Sequence, residues 1–140
     1  MAKSFWLVKS EPDKYSFSQL VRDGSTNWNG VRNFQARNYL RVMKKGDLVL
    51  VYHSGEAREV VGVARVTKEA YPDLDPKKKG EWLQVDLEPI EALKTSVPLA
   101  VLKSKSKLAS LPLIKQSRLS CMPITSEHFE QIIALGKNPS

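Results

Sequence analysis

The chain has 140 residues, 41% of them hydrophobic, and its 22 Lys and Arg against 15 Asp and Glu give a formal charge of +7. That length is enough for one domain, 1–140, with an apolar core that needs neither metal nor disulfide support, and the lone Cys121 excludes an internal disulfide and reads as packing. No apolar run is long enough to span a bilayer and the first residues lack a cleavable signal pattern, so a cytoplasmic setting (nuclear in a eukaryote) is expected, with DNA or RNA as the partner that the positive charge favours.

Residues 5–10 read as a strand buried on both sides, stopped by Glu11-Pro12-Asp13. Ser16 is placed to cap a helix over 17–23, with Leu20 and Val21 inward and Gly24 ending it. Residues 25–33 read as a loop in which Trp28, between two asparagines and before Gly30, presents a flat surface from a turn. Asn33 would cap the next helix, which runs to Met43 with Ala36, Tyr39, Leu40 and Met43 on an apolar side and Arg37, Arg41, Lys44 and Lys45 on a cationic one. That stripe is either a solvated face or a phosphate contact. Arg32 and Asn33, at the helix entrance, are candidates to hold an anion with Arg37, Arg41 and Lys44.

After a turn at 44–47, residues 48–52 form the strongest strand signal, and 60–66 should return antiparallel to it, with Gly62 marking a bend or close backbone approach. Residues 71–80 read as a polar loop and 82–89 as a strand with Leu83, Val85 and Leu87 inward, which 93–97 continues. Pro98 starts a helical turn, 103–110 is polar with little core, and 118–124 is a short strand. Thr125 or Ser126 caps a final helix, acidic at Glu127 and Glu130, apolar at Phe129, Ile132 and Ile133, and closed by Gly136. This order argues an α+β fold with a mainly antiparallel, barrel-like sheet. Trp6, Tyr39 and Phe129 are assigned to its core.

His53, His128 and Cys121 lack metal-ligand spacing and the glycines form no phosphate loop, so neither a metal nor a cofactor is expected. What remains are aromatics beside cations, namely Trp28 near Arg32, Tyr52 before His53, and Tyr71 before the lysines at 77–79. Such pairs can stack a base while holding its phosphates.

The runs Trp6-Leu7-Val8-Lys9-Ser10-Glu11-Pro12, Tyr15-Ser16, Trp28-Asn29-Gly30-Val31-Arg32-Asn33, Gln35-Ala36-Arg37-Asn38, Gly46-Asp47, Tyr52-His53-Ser54, Tyr71-Pro72-Asp73 and Arg118-Leu119-Ser120 resemble the EVE domain family over nearly the whole chain. The resemblance implies a PUA-like, curved, mainly antiparallel β-barrel with flanking helices, related to the YTH domain, and a pocket that reads modified bases in DNA or RNA. By the same resemblance the base pocket comprises Lys9, Ser10, Trp28, Asn29, His53, Ser54, Tyr71, Arg118, Leu119 and Ser120. Trp28 is one aromatic wall and Tyr71 or Trp82 the second. A small hydrolase or amidase acting on a nucleoside-like compound, with His53, Ser54 and Glu11 moving protons, is the alternative.

Overall fold

A computed structural model describes residues 4–28, 34–73, 82–116 and 118–137. Strand β1 (Phe5–Ser10) carries the core on consecutive residues, Trp6, Leu7 and Val8, because it is flanked by strands on both edges and covered on both faces. It pairs in parallel with β3 (Leu48–His53), from Phe5↔Leu48 to Ser10↔His53, and antiparallel with β6 (Cys121–Ile124). Parallel neighbours need a long crossover. The segment between them supplies it with helix α1 (Phe17–Asp23), strand β2 (Thr26–Trp28) and helix α2 (Phe34–Val42). Strand β4 (Glu59–Pro72) returns antiparallel to β3, and β5 (Leu83–Pro98) returns antiparallel to β4 and carries β2 on its far edge, giving the order β2-β5-β4-β3-β1-β6.

The sheet is thus mixed at one pair and antiparallel elsewhere. Its register shifts between Val51 and Tyr52 and at four places along β4 and β5, where unpaired residues bend the strands. Gly62 sits in this bent region, and a Cβ there would lie 2.4 Å from Cζ of the buried Phe17 ring. The expected close backbone approach is therefore the packing of α1 onto β4. The separate segments expected at 82–89 and 93–97 are one strand, and β4 extends through Tyr71 into what reads locally as a loop, because the two long strands satisfy each other's backbone groups to Pro72↔Leu83.

The α1 caps match their sequence signals: Ser16 Oγ accepts from Gln19 N at 3.1 Å, Gln19 Oε1 accepts from Ser16 N at 2.8 Å, and Gly24 adopts φ 80°. Leu20 is buried, but Val21 points to solvent and Phe17 takes its place inside. In α2, Ala36 and Leu40 are buried, and Met43 just beyond the helix joins them. The Asn33 cap lies outside the described residues. Short helices α3 (Leu99–Ser104) and α4 (Pro112–Lys115) flank a 3-10 turn at Ser106–Leu108. The polar stretch 103–110 is less detached than its composition suggests, since Leu108 is fully buried. Thr125 Oγ1 caps helix α5 (Ser126–Lys137) by accepting from His128 N at 3.0 Å. Gly136 does not end this helix; it lies within it, where a Cβ would come 2.9 Å from Leu93 Cδ1 on β5. Phe129 packs on Phe5 with centroids 4.7 Å apart, and Tyr39 on Trp6 at 6.1 Å. Cys121 is buried and its thiol pKa is pushed up by that burial, as a packing residue's should be.

Candidate functional site

Curling the sheet brings its two edges toward each other, and a cleft of about 750 Å³ lies where they approach. From the β2 edge come Thr26, Asn27 and Trp28; facing them, toward the β6 edge, come Ser120 just before β6, Lys9 and Ser10 at the end of β1, and Ser54 after β3. The backbone locks these strand ends together. Lys9 N donates to Ser120 O at 2.9 Å and Ser54 N to Ser10 O at 3.0 Å. Lys9, Ser10, Trp28, Ser54 and Ser120, dispersed over more than a hundred residues of sequence, therefore share one site.

The second ring at the cleft is Tyr15. It meets Trp28 edge-on, with centroids 6.3 Å apart and planes at 82°, the arrangement favoured by the ring quadrupoles. Its position follows from the turn after β1: Lys14 N and Tyr15 N both donate to Glu11 O at 2.9 Å, and Ser10 Oγ donates to Tyr15 O at 2.6 Å. The phenol donates to Asp23 Oδ2 at 2.7 Å, and burial, opposed by a hydrogen bond with Thr26 and reinforced by Asp23, raises its pKa. Tyr15 stands in one of the family-like runs, but no spacing marks it, Asn27 or Thr26 as site residues, because the first depends on a turn and the others on β2 joining a distant strand.

Trp28 is not a turn residue. It ends β2 opposite Val85 and is 8% exposed, so its ring belongs to the core and lines the cleft at once. Lys9 is half-buried, with Nζ 5.9 Å from the Tyr52 ring centroid, and its pKa is lowered by burial. An anion entering the cleft would reverse that cost.

Other expected pocket residues fall elsewhere. Leu119 is in the core and Arg118 is on the surface. Tyr71 donates to Asp86 and carries Lys68 Nζ 4.0 Å from its ring centroid, and burial foremost raises its pKa. It is a neighbour of the cleft residue Asn27, not a wall of the cleft. Trp82 stacks on Phe34, apart from Trp28, with Arg37 beside both rings, so Arg37 is half-buried and does not share the exposure of Arg41 and Lys44. Asn29, Arg32 and Asn33, and the lysines at 77–79, lie outside the described residues. Among the described residues no group of three or more His, Cys, Asp or Glu could hold a metal.

His53 is committed to structure. Its Nε2 accepts the Phe17 N–H at the start of α1 at 3.1 Å, which occupies the lone pair a general base would use. Glu11, the other proposed proton-transfer group, pairs with exposed Lys14 at 3.8 Å. Burial lowers the His53 pKa, partly opposed by Glu59. A folded-state pKa below the unfolded value means that the unfolded chain takes up this proton first. The stabilisation is complete above the unfolded value of about 6.5 and is lost as pH falls through the folded one. Urea unfolding should show stability declining as the pH drops below about 6.5, with that component absent in His53→Gln.

The fold and cleft define a PUA-like α+β module. ASCH from Zymomonas mobilis shares it with a TM-score of 0.59 over 96% of each chain, at 11% identity, a likeness of fold alone. The EVE domain pattern matches residues 4–135, and the chain belongs to that family. It is 36% identical to human thymocyte nuclear protein 1, over 98% of this chain and 76% of the relative. The crystal structure of human THYN1 protein in complex with 5-methylcytosine containing DNA superposes with a TM-score of 0.91 at 34% identity, covering 99% of this chain and 100% of the other. Among the described residues, no helix is long and apolar enough to cross a membrane.

Proposed function

We propose that this protein is a non-catalytic reader of nucleic acid, a single EVE module that takes one modified base, extruded from its stack, into the cleft between Trp28 and Lys9. The observation that carries this reading is the Trp28–Tyr15 ring pair set against Ser10, Ser54, Ser120, Asn27 and Lys9. Rings can hold a base by its faces and edges, while hydroxyls, an amide and a cation meet its polar rim. An added methyl gains apolar contact without displacing those hydrogen bonds. The human relative seen with 5-methylcytosine DNA supports the same ligand class. The protein would work in the cytoplasm, or in the nucleus of a eukaryotic cell.

Arg41 and Lys44, exposed on and just after α2, with Arg37, Arg32 and Asn33, would meet the flanking phosphates. Titration with oligonucleotides carrying defined cytosine and adenine modifications tests the reading, and equal affinity for every modified and unmodified strand would end it. In the same titration Arg41→Ala should weaken modified and unmodified strands by similar factors. It should also flatten the logarithmic salt dependence by about one unit for each phosphate no longer neutralised. An unchanged salt slope would show that this face does not meet phosphate.

A further inference from the structure

The ring stack at the start of α2 is a second aromatic surface, separate from the residues lining the cleft. Phe34 is 64% exposed although it is one of the largest apolar side chains in the molecule. It stacks on Trp82 with centroids 5.3 Å apart and planes at 16°. The Arg37 guanidinium carbon lies 4.9 Å from the Phe34 centroid and 5.8 Å from that of Trp82. These three separations make a nearly equilateral triangle. Were Arg37 across the Phe34 ring from Trp82, it would lie roughly twice as far from Trp82 as it does. Arg37 and Trp82 therefore do not sandwich Phe34, and its 64% exposure leaves an outer face of the ring open to solvent.

We propose that this outer face of Phe34 is a stacking platform for an unpaired nucleobase neighbouring the one read in the cleft. The proposal rests on the reading of the protein as a nucleic-acid binder and adds a second base site to it. The charge around the platform suits a nucleic acid strand and not an apolar protein segment: Arg37 backs the rings, and Arg41, Lys44 and Lys45 follow along and beyond the same helix. A phenyl ring offers a base no hydrogen-bonding edge, so the platform accepts any base and adds affinity without adding sequence preference. Trp82 and Arg37 hold Phe34 in place beforehand, which reduces the ordering cost that an isolated surface phenyl group would meet on binding.

The test uses the full chain and short single-stranded DNAs carrying one central 5-methylcytosine, with natural nucleotides at both sides or with an abasic residue at one neighbouring position. Wild type should bind the strand lacking one of the two neighbouring bases about 5-fold to 150-fold more weakly than the intact strand. Phe34→Ala and Phe34→Leu should weaken the intact strand by a similar factor and no longer distinguish it from the abasic one, while Phe34→Tyr retains the wild-type pattern. All three should melt close to wild type, since the side chain is mostly in solvent. Their preference for 5-methylcytosine over cytosine should be unchanged. Full affinity in Phe34→Ala overturns the platform, and so does loss of its methyl preference, which would put Phe34 in the reading cleft itself. The parent reading is scored separately by the wild-type preference ratio. A ratio of one with persistent Phe34 and flank dependence rejects base reading and keeps the platform.

Discussion

Trp28→Ala should lose both stability and binding. The ring is 8% exposed, ends β2 opposite Val85 and belongs to the apolar core, so its removal leaves a cavity costing roughly 3–5 kcal/mol. For a chain of this length, that is a fall in melting temperature on the order of 10–15 °C. A turn position would instead have left the melting point near wild type, and it is the pairing of Thr26–Trp28 with β5 that changes the expectation. Binding loss in Trp28→Ala is therefore no proof of direct contact, and Trp28→Phe is the informative partner. Phe keeps an aromatic face and much of the volume, so the fold should survive while the smaller ring weakens capture of the modified base. Thermal melts and oligonucleotide titrations on both variants decide this. A Trp28→Phe protein with wild-type stability and wild-type affinity would remove the indole from the binding site.

Asp47→Ala should be comparably severe for a different reason. Asp47 is 4% exposed, and its carboxylate accepts from Trp6 Nε1 at 2.9 Å, Lys44 N at 2.9 Å and Ser4 N at 3.2 Å. Its backbone carbonyl accepts from Val66 N at 2.9 Å, so this residue joins the start of β1, the turn before β3, and β4. Alanine leaves three donors without their acceptor, at about 1–3 kcal/mol for each that water cannot reach. Asp47→Asn should be intermediate, because an amide has one oxygen for donors approaching two positions and its NH2 opposes any donor it faces. Denaturant titration of both variants checks the order. An Asp47→Ala protein within 1 kcal/mol of wild type, roughly the cost of one ordinary hydrogen bond, would show that water replaces the carboxylate.

Local chemistry determined much of this protein from sequence alone. The Ser16 capping box, the Gly24 stop, the Thr125 cap, the consecutive apolar residues of β1 and β3, and the apolar side of α2 depend on neighbours within a few residues, and those interactions act wherever the segment lies. The specific runs around Trp6, Trp28 and Tyr52 likewise carried the EVE family resemblance, and with it the PUA-like fold. Only the tertiary structure decided the rest. Asp47 reads as an ordinary turn residue until β1 and β4 close over it. Gly136 reads as a helix stop until α5 packs on Leu93, and His53 as a pocket residue until α1 aims the Phe17 N–H at it. Local sequence likewise cannot tell that Trp28 shares the cleft with Tyr15 while Trp82 stacks on Phe34, nor that Leu119 turns into the core as Ser120 faces the cleft. Those assignments depend on which distant strands pair and how far the register shifts bend them, and a side chain's face is set by that pairing and not by its own neighbours.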